Sequence, residues 1–354
     1  MTMTTVFRST TTDPYARGRE FGAKFAGKIE ANVAAYGAIF DRHAGEAFDI
    51  RAHGETALKA IAGFAPSLHQ EIHGMAEGAG IAASLLGALN ARTEILAIVR
   101  ARMRGECSAV IHLPPNLSAP VAVQTWDWYQ IFKGAFLVWE IPLADGSVTK
   151  TMTEYGIVGK SGLNTRGIGL LFTILHHQHD GVGIGVPVHV AARWTLDSAP
   201  NLSRAGQVLA TAKVSASSSL NMVAFENGYG SAMTAELHPG GPSFILPDDA
   251  GYIIHTNHFL ANVPAVHDTE PGTNPDTLLR RDLLRRRLSL VERPGIQEIL
   301  AVMNSHVGGD GAVCCHPAEG SDPSISYETL ATIALDVKAG ELSVHSGGPC
   351  THPH

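Results

Sequence analysis

The chain has 354 residues, 45% of them hydrophobic and 17% charged, which excludes wholesale disorder; its 37 glycines and 19 prolines follow no period, which excludes collagen-like and low-complexity chains. Lys and Arg total 26 against 33 Asp and Glu, a net charge of -7, so nucleic acid is not an expected partner. No apolar run approaches the ~20 residues of a spanning helix, and the N-terminal MTMTTVFRSTTTDPYARG lacks the apolar core of a secretory signal, so the expectation is a cytoplasmic protein off the membrane.

The first hundred residues read as helices. Asp13 offers an N-cap with Pro14 in the first turn, opening a periodic stretch from Tyr15 to Phe40. A second stretch runs from Glu55 to Ala76. A third begins at Ser84, with Leu85, Leu89, Leu96, Val99 and Met103 on one face, and is stopped by Gly105; Arg100, Arg102 and Arg104 crowd its end as solvated cations. Beyond Gly105 the pattern becomes that of short strands: Ser108 to Leu113, Val121 to Trp128, Ala135 to Ile141, Ser147 to Tyr155, Ile168 to Leu175, Ser219 to Glu226, Ser231 to Leu237, Gly251 to His255, Leu330 to Val337 and Glu341 to His345. Helices are expected at Pro187 to Ser198, at Ser203 to Val214, and after Asn274, Pro275 and Asp276. The clusters Arg280-Arg281 and Arg285-Arg286-Arg287 on that last helix read as a solvated face. Tight turns such as Asn227-Gly228 and Ala339-Gly340 imply mainly antiparallel pairing, with grouped helices layered on sheets. No GxGxxG or GxxxxGK[ST] motif supports a nucleotide.

Four cysteines form no disulfide framework and no CxxC zinc pair. Cys314 and Cys315 are adjacent and poorly placed for one tetrahedral site without further ligands, so a structural role is expected. The loop His176-His177-Gln178-His179 follows a strand end and reads as solvated or lining a pocket. Cys107 stands alone at the start of the strand region. A lone cysteine is ordinarily a small buried hydrophobe. Twenty residues on, Asp127 sits between Trp126 and Trp128, where burial without partners would cost several kcal/mol.

Gly105-Glu106-Cys107-Ser108, Gln124-Thr125-Trp126-Asp127-Trp128, Thr153 through Asn164, Gly185-Val186-Pro187-Val188-His189 and His255-Thr256-Asn257-His258 occur in that order. With these pieces the chain resembles the acyl-coenzyme A:isopenicillin N acyltransferase-like family, peptidase family C45, among the autoproteolytic N-terminal-nucleophile (Ntn) hydrolases. The resemblance covers roughly residues 100 to 260. It implies an α+β fold, an αββα sandwich of two mainly antiparallel sheets between helical layers. It also implies self-cleavage between Glu106 and Cys107, leaving a helical segment 1–106 and a β-chain 107–354 that stay associated as one unit. By the same resemblance Cys107 is the nucleophile, its freed α-amine the base, Asp127 the support of cleavage and of the charged amine, and Asn257 the oxyanion donor. The sequence departs from the pattern at Glu106, where Gly is common, and at Thr125, where Asn is common. It also has no Arg among Pro323 to Thr329, and His238 where the penicillin-forming enzyme has Ser.

The expectation is therefore a thiol Ntn amide hydrolase acting on a small N-acyl or β-alanyl-type amide, needing no cofactor and no metal. The alternatives are an acyl-coenzyme A-dependent N-acyltransferase, with a coenzyme A thioester as substrate, and an uncleaved small-molecule-binding protein; a metal-dependent hydrolase would rest on the histidines alone. A homo-oligomer is left open.

Overall fold

A computed structural model of the protein describes residues 4–101 and 107–352; Glu106, the residue expected to precede the cleaved bond, and the arginine-rich end of the third predicted helix, Arg102 to Gly105, lie outside the described residues. Before Cys107 come β1 (Val6–Arg8), α1 (Pro14–Ala44), α2 (Ile50–Phe64), α3 (Pro66–Ala79), α4 (Ala83–Asn90) and α5 (Arg92–Ile98). After it come β2 (Ser108–His112), β3 (Val121–Tyr129), β4 (Phe136–Pro142), β5 (Val148–Glu154), β6 (Ser161–Asn164), β7 (Ile168–Ile174), α6 (Val188–Ser198) and α7 (Leu202–Ala210). The chain continues through β8 (Ser218–Glu226), β9 (Tyr229–Leu237), β10 (Ser243–Ile245), β11 (Tyr252–His255), α8 (Asn262–Ala265), α9 (Glu270–Thr273), α10 (Asp276–Leu288), α11 (Ile296–Met303), β12 (Tyr327–Asp336) and β13 (Glu341–Ser346).

The strands make two sheets. The larger runs β1-β4-β5-β6-β7-β8-β9-β10 and is antiparallel except where β1 pairs parallel with β4; the smaller, β11-β2-β3-β12-β13, is antiparallel throughout. The sheets pack face to face, and Gln124 of β3 ties them: its amide nitrogen donates to the Phe172 carbonyl of β7, while its oxygen accepts from Phe172 N–H at 3.0 Å and from the Ser161 hydroxyl of β6 at 3.0 Å. Outside the large sheet, Phe21 of α1 packs on Trp139 of β4 with ring centroids 4.3 Å apart and the rings tilted by 35°, and α6 and α7 lie alongside. Outside the small sheet, Leu284 and Leu288 of α10 and Ile299 and Leu300 of α11 bury Val110 and Val123 in a second core. The layer order is helices, sheet, sheet, helices, the αββα sandwich expected.

Two predicted helices are divided, each for a local reason. The stretch from Glu55 to Ala76 breaks at Ala65, pushed to φ -136 and ψ 75 by the ring of Pro66. The third breaks at Ala91, where Asn90 turns its amide nitrogen onto the carbonyls of Leu86 and Gly156 and accepts the N–H of Val158. Helices α1 and α3 cross so closely that a Cβ at Gly18 would sit 1.9 Å from the Glu71 carbonyl oxygen, so glycine is required there. The segment before Cys107 also contributes a strand, β1, and its helices share one hydrophobic core with the strands after Cys107.

Candidate active site

Cys107 enters β2 one residue before Ser108, which pairs with Thr125 of β3. This register brings Cys107 beside the end of β3 that carries Asp127. The Cys107 thiol points at the Asp127 carbonyl oxygen, 3.9 Å from Sγ, and the residue is 3% exposed. On the other edge of β3, Thr329 of β12 faces Asp127 and Ala331 faces Trp126, leaving Leu330 as an extra residue; this bulge kinks the ladder at Asp127. Side chains alternate along β3. Trp126 and Trp128 therefore point away from Asp127: Trp128 Nε1 donates to Tyr36 at 2.9 Å, and the ammonium of Lys160 sits 3.7 Å from the Trp126 ring centroid. All three residues are buried.

Asn257 follows β11 and is fully buried. Its backbone N–H is held by Thr277 Oγ1 at 2.9 Å, and its amide nitrogen donates to the Ile174 carbonyl at the end of β7, also at 2.9 Å. An amide nitrogen carries two hydrogens, so this bond uses one. The Asn257 oxygen accepts from Arg280 Nη2 at 2.9 Å. Arg280 also donates through Nη1 to the Cys107 carbonyl at 2.9 Å and to the Ser108 hydroxyl at 3.1 Å, and through Nε to Asp276 at 3.3 Å. One guanidinium thus spans the residue expected to attack and the residue expected to receive the oxyanion.

Arg280 overturns the reading of its cluster as a solvated face. It is 2% exposed, whereas the side chains of Arg285 and Arg286 are open to solvent and pair with Asp282. The helical period held the signal: Asp276, Arg280, Leu284 and Leu288 recur every fourth residue, and Leu284 and Leu288 are core. Sequence reasoning also gave no role to Lys160. Its ammonium pairs with Glu154 at 2.7 Å, and Glu154 pairs with Arg92 at 2.9 Å and accepts from Tyr36.

These charges oppose one another in buried surroundings. Burial pushes the Cys107 thiol up to about 11, with the Asp127 carboxylate adding to the rise while Lys160 and Arg280 pull it down. Burial drives Lys160 down to about 7 against the pull of Glu154, with Arg92 lowering it further. Burial works against the Glu154 carboxylate, but Arg92 and Lys160 overcome it and hold the group ionised. His189, stacked on Phe172, is held neutral by burial and by Arg92.

A cavity of about 430 Å³ opens at the end of α5 and the end of β7, lined by Ala97, Arg100, His176, His177, Asp180 and Glu270 among others. Its wall begins two residues beyond Ile174, whose carbonyl holds Asn257. Burial lowers His176 and His177 to about 4 and raises Glu270 to about 8, so three polar walls are uncharged near neutral pH. The histidine loop lines a pocket, one of the two arrangements the sequence suggested. Among the described residues no metal-ligand cluster forms at this site; the group of that kind lies around His316.

The structure thus brings Cys107, Asp127 and Asn257 to one place and adds Arg280 and Lys160. The sequence profile described as acyl-coenzyme A:6-aminopenicillanic acid acyl-transferase matches residues 121–349, which include Asp127, Lys160, Asn257 and Arg280 and start beyond Cys107. The acyl-coenzyme A:6-aminopenicillanic-acid-acyltransferase 40 kDa form of Emericella nidulans is 29% identical over 225 residues, 63% of this chain and 60% of that protein. A solved penicillin V acylase from Agrobacterium tumefaciens aligns with a TM-score of 0.46 and 15% identity, over 68% of this chain and 83% of its own. With the profile spanning more than half of its length, the chain belongs to the acyl-coenzyme A:6-aminopenicillanic acid acyl-transferase family.

Proposed function

We propose that the protein is a self-processing thiol amide hydrolase that cleaves a small N-acyl or β-alanyl-type amide through a thioester on Cys107. The observation that carries this reading is the Arg280 bridge from the Cys107 carbonyl to the Asn257 amide oxygen, in a chain of this family. In the continuous chain the thiol lies near 11 and its own nitrogen is an amide, which is no base. The thiol attacks the Glu106 carbonyl carbon, the C–N bond to Cys107 breaks, and the thiol proton passes to the departing nitrogen. Water then hydrolyses the thioester, leaving Glu106 as a carboxylate end and Cys107 with a free α-amine of reference pKa about 7.7–8.0.

That amine takes the thiol proton when a substrate carbonyl binds, and later gives it to the leaving amine. The second amide hydrogen of Asn257 serves the developing oxyanion, a contribution of about 2.7–4 kcal/mol for one donor. Arg280 keeps that hydrogen aimed by holding the Asn257 oxygen. Lys160 favours the thiolate, and Asp127 balances the ammonium form of the new N-terminus. His176, His177 and Glu270 offer uncharged polar atoms to a bound acyl or amine portion, beside the Asp180 carboxylate and the Arg100 guanidinium. Segments 1–106 and 107–354 stay together after cleavage because their apolar residues share one core. The reaction is assigned no cofactor and no metal.

The test is a panel of amides and thioesters, with and without acceptor amines, on wild type and Cys107→Ala. Amine release from simple amides without an acceptor, lost in the variant, supports the hydrolase. Turnover only with a coenzyme A thioester and an acceptor amine replaces it with an N-acyltransferase on the same nucleophile. Undiminished turnover by Cys107→Ala overturns both.

A further inference from the structure

Four side chains with metal-binding atoms converge around the C-terminal turn Pro349–Thr351: His306 from the loop after α11, Cys314 and His316 from the segment leading to β12, and Cys350 from the turn itself. Their ligand atoms all lie within 4.8 Å of one another. Both thiols approach the same imidazole nitrogen: Cys314 Sγ is 3.5 Å and Cys350 Sγ is 3.3 Å from His316 Nε2. The His306 ring stands 5.2 Å from the His316 ring, centroid to centroid. A single ring nitrogen offers one lone pair or one hydrogen, so it serves only one of the two thiols, and Cys314 and Cys350 also contact each other. A cation between them satisfies both thiols and both rings.

We propose that His306, Cys314, His316 and Cys350 form a structural Zn2+ site. Two sulfur and two nitrogen donors are a set that selects zinc, and two thiolates neutralise its charge. With Zn–S near 2.3 Å and Zn–N near 2.0–2.1 Å, a sulfur–nitrogen edge of the tetrahedron is about 3.5–3.6 Å, which the 3.5 Å Cys314–His316 separation matches and the 3.3 Å Cys350–His316 separation approaches. On binding, the two S–H bonds release their protons to solvent and two Zn–S bonds form. Four protein ligands close the coordination sphere, so the ion holds structure and leaves no open position for a reacting water. The backbone is shaped for this approach: a Cβ at position 348 would stand 2.5 Å from Cys314 Sγ, and Gly348 supplies none. The ligand loop is itself braced, with Cys314 N–H on the Ser305 carbonyl at 3.0 Å and Cys315 N–H on Thr329 Oγ1 at 2.9 Å. Thr329 is the residue facing Asp127 across the ladder, so the ion clips the C-terminal turn to the back of the strand pair that carries the reaction centre. Cys314 and Cys315 alone could not fill a tetrahedron; the turn brings the missing thiolate and the α11 loop the second imidazole.

The experiment is metal analysis of the full chain, purified under reducing conditions without an affinity tag and then equilibrated with Zn2+. About one zinc per chain is expected, released by a mercurial thiol reagent, with Co2+ in its place giving thiolate-to-cobalt charge transfer and tetrahedral d–d bands. Because His306 is exposed, His306→Ala leaves the fold unchallenged and is expected to weaken Zn2+ by more than the roughly 10–100-fold that loss of an outer-shell partner costs. Cys314→Ser combined with Cys350→Ser is expected to lose the ion. Zinc well below stoichiometric after equilibration, zinc retained by the double variant, or a Cys314–Cys350 disulfide in the freshly isolated chain would overturn the proposal.

Discussion

Two buried charge clusters in this molecule experience the same desolvation and meet it differently. Beneath α1, α3 and α6, Glu71 lies between Arg17 at 2.5 Å and Arg193 at 3.0 Å, and Arg193 also pairs with Asp197 at 2.8 Å. Two guanidiniums face two carboxylates. Burial pushes the Glu71 carboxyl up, but Arg17 and Arg193 outweigh it and hold the group below its ordinary value. Around Cys107 the charges share partners less closely, with Arg92 and Lys160 on the one carboxylate of Glu154: Lys160 is driven down to about 7 and the thiol up to about 11. Matched charges lock a packing arrangement. A shared carboxylate leaves Lys160 able to lose its proton near neutral pH, a pattern common at reaction centres.

The sharpest contrast is expected from removing one residue of each cluster. Cys107→Ala should lower turnover by at least about 10³-fold while circular dichroism and melting stay near wild type. Asn257→Ala should lower kcat by about 10²–10³-fold with a small change in KM, measured by initial rates on a cleaved amide. An unchanged kcat would remove Asn257 from the oxyanion role. Glu71→Gln should do the reverse, costing about 3–5 kcal/mol in urea unfolding because two buried guanidiniums lose their charge partner, with turnover per folded molecule unaffected.

The contrast extends to pH. Glu71 and Glu154 have folded values below the ordinary 4.5, so the native state binds fewer protons than the unfolded chain as the medium is acidified. Their stabilisation is present in full above about 4.5 and is lost as pH falls through their folded values. Urea midpoints should therefore drop on acidification below 4.5, and Glu71→Gln should flatten the drop; equal slopes in variant and wild type would contradict the pairing. The smallest effect is expected at Arg285 and Arg286, which share a helix with Arg280 but face solvent: replacing both with Ala should leave melting temperature and turnover unchanged.

How much of this was legible without coordinates follows from what carries each signal. The strands beyond Cys107 were readable because Val, Ile, Thr and aromatic runs alternate with turns such as Asn227-Gly228, whose φ values of 52 and 86 suit a hairpin. The short strands β1, β6 and β10 were not, since Val-Phe-Arg, Ser-Gly-Leu-Asn and Ser-Phe-Ile carry less pattern than the equally short Tyr-Ile-Ile-His of β11. Cys107, Asp127 and Asn257 were named from the motifs of a resemblance. Arg280 was hidden because its cluster was read by composition, although its spacing to Leu284 and Leu288 placed it on the buried face. Lys160 sat inside a quoted motif, but its partner Glu154, and the Arg92 that competes for that carboxylate, surround it only after β5, the following turn and α5 come together. Cys350 lies 36 residues beyond Cys314 and His306 eight before it, and no local spacing rule links the three.

The central claim is that Cys107 becomes an N-terminus and works through its own amine. Intact-mass analysis with N-terminal sequencing of the purified protein, wild type beside Cys107→Ala, tests it most directly. The account predicts two fragments in the wild type, the second beginning at Cys107, and one uncut chain in the variant. A wild-type chain that remains in one piece while still hydrolysing amides would contradict it.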